Sequence, residues 1–402
     1  MRRRGLAAAC SIVMVLTTSG AVAQKTSVSD GVIRIGIIND RSGPYADLTG
    51  EGSVVAARMA AQEMRGTVLG APIEIVSADH QNKPDIGGVI ARKWFDTDKV
   101  DAIADISSSA VGLAVVSLAN EREKIVLNAS GSSVFTGKAC SKTTFQIAYN
   151  SFTNAYGLAD TVTKTGLDSW FLITVDYAFG HSLAADIRSA VQANGGKVLG
   201  EVRHPVNTSD FSSFLLQAQS SGAKVVALAN GGSDFSNALK QAAEFRLTAS
   251  QVVVAPTVFL TDVKALGLAT AQGLQFVTAF YWDRDEASRS WSEQFVKKHG
   301  SMPTMSQASI YWGVLHYLRA IEAAGTDGGR LVAEKMRERP VDVPFAQGPV
   351  RTDGQFVHDM YLVRVKKPAE SKSAWDLYEV TKTVPGQHAF LPLERSECPL
   401  VK

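Results

Sequence analysis

The stretch Val32–Met64, VIRIGIINDRSGPYADLTGEGSVVAARMAAQEM, carries the pattern that decides the fold. It opens with a β-branched apolar run, Val32–Ile38, which predicts a buried strand. A loop of turn-forming residues, Asn39–Tyr45, follows, and the apolar residues of Val54–Met64 then recur at helical spacing. The order of this unit is therefore strand, loop, helix.

The same unit repeats along the chain. Further short segments that predict strands occur at Ile73–Ala78, Ala102–Ile106, Ile125–Asn128, Trp170–Val175, Lys197–Arg203, Val225–Ala229 and Val252–Ala255. Helical patterns separate these runs, and parallel strands are the ones that need such crossover connections. The alternation predicts an α/β protein with two Rossmann-like lobes, each an open parallel sheet covered by helices on both faces.

The last third of the chain has a different order of elements. Its predicted strands are Gly273–Phe280, Gln355–Val365 and Ala374–Val380, and its predicted helices are Ala287–His299, Ser306–Ala324 and Arg330–Arg339. No linker rich in Pro, Gly or Ser separates these elements from the preceding ones. We therefore expect them to return to the two lobes and complete them.

Composition excludes several classes of protein. The 402 residues are 45% apolar and 20% charged, which excludes a disordered chain. Lys plus Arg number 41 and Asp plus Glu 39, and no basic run is interleaved with aromatic residues. This balance argues against nucleic acid as a partner.

The first 23 residues have the three parts of a secretory signal peptide. Arg2–Arg4 form a positive region, Leu6–Leu16 form an apolar core, and Ala21–Ala23 gives a small-x-small cleavage pattern. The apolar core is too short for a transmembrane anchor, which needs about 20 residues. We expect cleavage after Ala23 and a periplasmic protein with 38 basic and 39 acidic residues.

Two cysteines, Cys140 and Cys398, remain after this cleavage. Neither has a CxxC partner, and two distant cysteines make no zinc site by themselves. Export to an oxidising compartment favours a disulfide that ties the C-terminal tail to the Cys140 loop, with two buried thiols as the alternative.

The motifs of common enzyme classes do not occur in this sequence. GxSxG, HExxH, GxGxxG and GxxxxGK[ST] are absent, and the seven histidines lack metal-ligand spacing. Asp176 and His181 lie close together, but such pairs are common by chance in a long chain. We expect no catalysis, no cofactor and no metal.

Small and hydroxylated residues follow the predicted strands. These segments are Asn39–Gly43, Ser107–Ser109, Asn128–Gly131, Asp176–Tyr177, Asn230–Ser233 and Pro256–Thr257. Open α/β sheets bind ligands beyond the carboxyl ends of their strands, so the set predicts a binding cleft. Helix capping alone explains some of these residues.

Ser107, Ser108 and Ser109 form the sharpest of these segments. Three hydroxyls at the start of an apolar helix, beside its free N–H groups, predict an anion site suited to a carboxylate. The aromatic residues near the predicted cleft could cover an apolar ligand body; they are Tyr45, Tyr177, Phe179 and Trp282.

The chain resembles the periplasmic solute-binding proteins of the leucine/isoleucine/valine-binding type, which serve ABC importers. The matching segments are Ile35–Gly36, Ser42–Pro44, Asp79, Ser107–Ser109, Tyr177–Gly180 and Asp210–Ser212. The resemblance implies the type I periplasmic binding fold, in which two lobes joined by a three-segment hinge close on a ligand. One lobe would comprise residues 24–148 and 278–349, and the other residues 149–277 and 350–402.

The resemblance also implies roles for individual residues. The ligand carboxylate would be held by Ser108 and Ser109 and by the turn Ala129–Gly131, which contains Ser130, while Tyr177 and Phe179 would lie on the loop of the second lobe. Amino-acid binders of this family carry an acidic residue where this chain has Thr257. A buried ammonium without a counter-charge costs several kcal/mol, and Asp234 or Asp176 is the alternative source of that charge.

These features predict a solute-binding protein of an ABC importer. The partners would be a membrane permease and a small carboxylate without an α-amino group, of which an aromatic acid is favoured, and the protein would be a monomer. The alternatives are a binding protein for branched-chain or other amino acids, a sensory protein that presents its ligand to a membrane receptor, and a secreted enzyme on the same fold.

Overall fold

The structure is a computed structural model that describes residues 28–401. The predicted signal peptide, with its cleavage point after Ala23, lies outside these residues. Among the helices of the described part, none is long and apolar enough to span a membrane.

The first lobe is built on a six-stranded sheet. Its strands are β1 (Ile33–Asn39), β2 (Thr67–Val68), β3 (Ala71–Asp79), β4 (Ala102–Asp105), β5 (Ile125–Asn128) and β6 (Thr144–Gln146), and its first helices are α1 (Gly50–Glu63), α2 (Pro84–Asp96) and α3 (Ser109–Glu121). The strand order is β2-β3-β1-β4-β5-β6, and all neighbours are parallel except β2 and β3. The order reverses direction between β1 and β4, which is where such sheets bind ligands.

The second lobe has the same plan on a four-stranded sheet. The elements are α4 (Ser151–Thr163), β7 (Ser169–Val175), α5 (Ala178–Ala193), β8 (Lys197–His204), α6 (Ser212–Ser220), β9 (Val225–Ala229), α7 (Ser233–Glu244), β10 (Val252–Val254), α8 (Leu260–Leu266), α9 (Leu268–Ala271) and β11 (Gln275–Thr278). The parallel order is β10-β9-β7-β8, and it reverses direction between β7 and β9.

The last third of the chain returns to both lobes, as the sequence predicts. The elements are α10 (Glu286–His299), α11 (Met305–Ala324), α12 (Gly329–Glu338), β12 (Val341–Val343), β13 (Ala346–Gly348), β14 (Met360–Val365), β15 (Tyr378–Val384) and α13 (Gly386–Ala389). Helix α11 packs along α1 in the first lobe, whereas β14 and β15 join β11 in an antiparallel sheet. Most of the residues of α11 are buried, including polar ones such as Gln307, Ser309 and His316.

Two of the late strands differ from the prediction. The strand predicted at Gln355–Val365 begins only at Met360, although Gln355 forms an isolated bridge with Gln146. The strand predicted at Ala374–Val380 is instead Tyr378–Val384. Asp376 pairs with Lys366 and accepts the N–H of Lys372, so the segment before Tyr378 is held in a loop.

The C-terminal tail crosses back to the first lobe. Cys398 is joined to Cys140 by a disulfide with a Cα–Cα distance of 5.6 Å. The hydroxyl of Ser396 donates to the carbonyl oxygen of Thr136 at 3.0 Å, and Phe390 packs in the hydrophobic cluster of the first lobe. These contacts attach the tail, which the predicted division places in the second lobe, to residues of the first.

Candidate functional site

The loops at the two points where strand order reverses meet at the predicted cleft between the lobes. Tyr45, after β1, and Tyr177, after β7, have hydroxyl oxygens 2.6 Å apart. Gly232, after β9, has φ of +61°, and a Cβ there would lie 2.3 Å from the carbonyl oxygen of Pro44. Only glycine permits this close approach, so the loops of the two lobes are in contact.

A second row of contacts joins the lobes along helix α5. The hydroxyl oxygens of Ser132 and Ser182 are 2.6 Å apart. Ser133 donates to Oδ2 of Asp186 at 2.9 Å, and Ser151 donates to the same oxygen at 2.6 Å. These contacts connect the loop after β5 to the second lobe.

The three serines before α3 have different surroundings. The N–H of Asp40 donates to Oγ of Ser107 at 3.0 Å, and Nε2 of His80 lies 3.4 Å from the same oxygen. Ser108 and Ser109 are fully buried, and within residues 28–401 neither hydroxyl has a hydrogen-bond partner. Ser107 therefore links the loop after β1 to the segment before α3. Ser108 and Ser109 place two buried hydroxyls without partners among the described residues at the N-terminus of α3.

The turn Ala129–Gly131 lies beside these serines. The N–H of Ala129 donates to the carbonyl oxygen of Asp105 at 2.8 Å, and the hydroxyl of Ser130 donates to Oδ1 of Asn128 at 2.9 Å. A Cβ at Gly131 would lie 2.9 Å from the rings of both Phe179 and Tyr149. The aromatic side chains therefore approach the backbone of this turn directly.

Two aromatic residues at the cleft were missed from the sequence. Tyr149 follows β6 and meets Phe259 edge to face, with ring centroids 5.9 Å apart, and both are buried. Strand β6 has only three residues and gave no strand pattern, so nothing in the sequence placed Tyr149 at a strand end. Trp282 is partly buried against the hydrophobic cluster that contains Tyr45, and its Nε1 donates to the carbonyl oxygen of Trp375 at 2.8 Å.

Thr257 lies in the second lobe as a buried residue. Its Oγ1 accepts a hydrogen bond from Nδ2 of Asn154 at 3.0 Å. The other amide atom of Asn154, Oδ1, is buried and has no partner among the described residues. This corner of the cleft therefore offers neutral polar groups.

The two candidate aspartates are placed differently. Asp176 is exposed and pairs with His181 at 2.8 Å, so the structure does not bring it into the buried cleft. Asp234 is buried, and its two oxygens accept the N–H groups of Asn207 and Thr208. Burial raises the pKa of Asp234 to about 6, against the lowering effect of the two backbone hydrogen bonds.

The side chains gathered where the lobes meet are buried hydroxyls and aromatic rings. Buried hydroxyls can donate to an anion, and the aromatic rings can cover an apolar body. Within the described part of the chain, no group of three or more His, Cys, Asp or Glu side chains could hold a metal ion.

The sequence profile of the family described as periplasmic binding protein matches residues 32–372. A periplasmic binding protein from Burkholderia mallei is 44% identical, with a TM-score of 0.91 over 92% of this chain and 100% of that chain. A branched chain amino acid ABC transporter periplasmic ligand-binding protein from Burkholderia xenovorans LB400 is 38% identical, with a TM-score of 0.82 over 92% and 100%. A solute binding protein of an ABC transporter from R. palustris, in complex with benzoate, is 18% identical, with a TM-score of 0.81 over the same shares.

The chain belongs to the periplasmic binding protein family. It is therefore a solute-binding component of ABC transport and has the two-lobe α/β fold of these neighbours. The family implies a periplasmic location and a transport role that involves no catalysis.

Proposed function

We propose that this protein captures a small aromatic carboxylic acid in the cleft between its lobes and delivers it to the permease of an ABC importer. The observation that carries the proposal is the pair of buried, unpartnered hydroxyls of Ser108 and Ser109 at the start of α3. Buried polar groups are seldom left without partners, so a ligand group is expected to meet them. A carboxylate suits them because the helix N-terminus favours negative charge.

The aromatic side chains support a ring as the body of the ligand. Tyr149 and Phe259 pack edge to face, and Phe179 and Tyr149 both reach Gly131. Planar apolar surface of this kind covers an aromatic ligand well. The benzoate bound by the R. palustris neighbour shows that a protein of this fold holds such a ligand.

The surroundings of Thr257 argue against an α-amino group on the ligand. Thr257 and Asn154 are neutral, and Asp176 is exposed on the surface. Asp234 already accepts two backbone N–H groups, which fixes both of its oxygens. An ammonium group would therefore lack a dedicated counter-charge, which is costly in a buried site.

A branched-chain amino acid is the second candidate ligand. The Burkholderia xenovorans protein, 38% identical to this chain, is described as a branched chain amino acid transporter component. In that case Asp234 becomes the candidate partner of the ligand ammonium, because it is the buried acid that follows β9.

The lobe division and the hinge belong to the same proposal. The lobes would comprise residues 24–148 with 278–349 and residues 149–277 with 350–402, and the tail would connect both. Three segments pass between them, and two of these touch at the hinge: Gln355 accepts from Nδ2 of Asn150 at 2.9 Å and bridges Gln146. We propose a monomer that closes by bending at these segments.

A thermal-shift screen tests the ligand class. The mature protein is unfolded and refolded to remove any bound solute and then mixed with 4-hydroxybenzoate, coumarate, leucine or valine. Ligand at 100 times its dissociation constant stabilises by about 2.7 kcal/mol, or several degrees at about 2–4 °C per kcal/mol. We expect the shift with the aromatic acids; a shift with leucine and valine alone would contradict the proposal.

A further inference from the structure

Asp105 stands at the junction of the three loops that form the ligand face of the first lobe. It is the last residue of β4, fully buried between β1 and β5. Nδ2 of Asn39 donates to its Oδ2 at 2.8 Å, and the N–H of Ala129 donates to its carbonyl oxygen at 2.8 Å. One residue thus contacts the end of β1, the turn Ala129–Gly131 and the segment leading to the serines.

Asn39 extends this junction to the loop that carries Tyr45. The same Nδ2 of Asn39 donates to the carbonyl oxygen of Gly50 at 2.7 Å, at the start of α1. The bond closes the loop between β1 and α1 at its base. Without the Asp105 carboxylate, the amide of Asn39 would lose one of its two buried acceptors.

The backbone after β4 is held in an uncommon conformation. Asp105 has φ of +80° and Ile106 has φ of +57°, two consecutive residues other than glycine in the left-handed region. Such residues persist only where the surrounding contacts over-determine them, and they concentrate at ligand-binding sites. Ile106 is held by its N–H, which donates to the carbonyl oxygen of Ile38 at 2.9 Å.

This turn decides where the next residues lie. Ser108 and Ser109 follow it directly, and their buried hydroxyls have no partner in the described part of the chain. Within the described residues no hydrogen bond of their own orients these hydroxyls, so their position depends on the backbone before them. That backbone is held by the N–H of Ile106, by the carbonyl oxygen of Asp105 and by the bond between the side chains of Asp105 and Asn39.

We propose that Asp105 is a positioning residue for the carboxylate end of the ligand: its bond to Asn39 holds the left-handed turn that aims the hydroxyls of Ser108 and Ser109. It acts through these serines and does not itself touch the ligand. The inference rests on the proposed function, because it assumes that the serines bind a carboxylate.

The experiment compares a carboxylate with its neutral amide. Benzoate and benzamide are titrated calorimetrically into the refolded, solute-free protein. If the hydroxyls of Ser108 and Ser109 are no longer correctly oriented, only the interaction with the charged carboxylate should weaken. Asp105→Ala should weaken benzoate binding by about tenfold or more, as a hydrogen bond to a charged group contributes at least that much. Benzamide binding should change much less, so the preference for the carboxylate shrinks.

Three further variants distinguish an effect on the orientation of the serine hydroxyls from an effect on the stability of the protein. Asn39→Ala removes the same hydrogen bond from its other end and should shrink the preference in the same way. Asp105→Asn, which tolerates the left-handed conformation and retains an acceptor, should restore the preference. Asp101→Ala is the matched control: Asp101 is buried at the opposite end of β4 and accepts the N–H of Arg34, so its loss should lower stability and leave the preference intact.

Two results have different meanings. An unchanged preference in Asp105→Ala and Asn39→Ala, or an equal loss in Asp101→Ala, would overturn the positioning role. A wild type that binds leucine and neither benzoate nor benzamide would overturn the proposed ligand class instead. In that case leucine and leucinamide replace the aromatic pair, and the same variants still decide the role of Asp105.

Discussion

At the residue scale, the hydroxyls of Ser107, Ser108 and Ser109 differ in what they contact. Ser107 accepts the N–H of Asp40, whereas the other two hydroxyls have no partner within residues 28–401. We therefore expect Ser107 to contribute to stability, and Ser108 and Ser109 to contribute to ligand binding.

The double substitution of Ser108 and Ser109 by alanine should weaken binding of an aromatic carboxylate. Each hydrogen bond to a charged group contributes about 1.5–3 kcal/mol, so calorimetry should show a loss of about 100-fold or more. Stability should hardly change, because neither hydroxyl has a hydrogen-bond partner among the described residues. Ser107→Ala should do the opposite and lower the unfolding free energy by about 1–3 kcal/mol, because it leaves the Asp40 N–H without an acceptor. A Ser107→Ala protein that loses more affinity than the double variant would contradict these roles.

Thr257→Asp should change the charge that the cleft prefers. A buried carboxylate at this position repels an anionic ligand and can pair with an ammonium group. We expect affinity for 4-hydroxybenzoate to fall by about tenfold or more and affinity for leucine to rise, measured by calorimetry. Thr257→Val is the control of equal size, since it adds no charge. If 4-hydroxybenzoate binds Thr257→Asp and Thr257→Val equally well, Thr257 does not lie near the ligand.

The sequence predicts an anion site at Ser107–Ser109, but it does not show which of the three hydroxyls has a hydrogen-bond partner in the protein. Three adjacent hydroxyls before an apolar helix predict an anion site, yet their partners are set by β1 and by His80, which lie far away in the chain. The sequence did not predict a role for Asp105 either, because its left-handed backbone and its bond to Asn39 arise only when two strands pair.

At the element scale, buried parallel strands were the easiest to predict. The run Val225–Ala229 is a strand with the predicted bounds, because each of its residues is buried and apolar. Strand β15 is largely polar and lies next to a loop held by an ion pair, so its predicted bounds were displaced. Apolar runs predict strands well only where both faces of the sheet are covered.

The segment that leads into β14 carries a buried histidine. His358 contacts the rings of Trp312, Phe356 and Phe390, and its Nε2 has no partner among the described residues. Burial lowers the pKa of His358 to about 4. Between about pH 6.5 and pH 4 the imidazole of His358 is therefore neutral in the folded protein and protonated in the unfolded chain.

This histidine should make the protein less stable in acid. Because the unfolded state binds more protons between about pH 6.5 and 4, the unfolding free energy falls with pH in that window, by about 1.4 kcal/mol per pH unit for one such group. Urea titrations at pH 7.5 and 5.0 should show a smaller loss for His358→Leu than for the wild type. His80 and His316 also have pKa values lowered to about 4 by burial, so part of the acid loss should remain. Equal losses in the variant and the wild type would contradict a buried neutral imidazole.

At the scale of the whole molecule, the tail adds a connection between the lobes. The chain leaves β15 in the sheet of β11 and β14 and ends against the first lobe at Cys140, 258 residues earlier in the sequence. The cysteine pair was predicted from the expected compartment, and this pair was the signal in the sequence for the return of the tail to the first lobe.

The disulfide should protect the mature protein against unfolding. Thiol titration of the unfolded, unreduced protein without its signal peptide should find no free cysteine. Replacing both Cys140 and Cys398 by serine should lower the unfolding free energy by up to about 5 kcal/mol in the chain-entropy account of so long a loop. Two reactive thiols in the unreduced protein would contradict the pairing.

Capture of an aromatic acid by closure of two lobes is the central claim, and small-angle scattering tests it most directly. The protein is refolded without solute, and its radius of gyration is measured alone, with saturating 4-hydroxybenzoate and with saturating leucine. We predict a smaller radius with 4-hydroxybenzoate and no change with leucine, because a ligand that contacts both lobes favours the closed arrangement in which Tyr45 and Tyr177 are in contact. An unchanged radius with 4-hydroxybenzoate, or a decrease with leucine alone, would contradict the account.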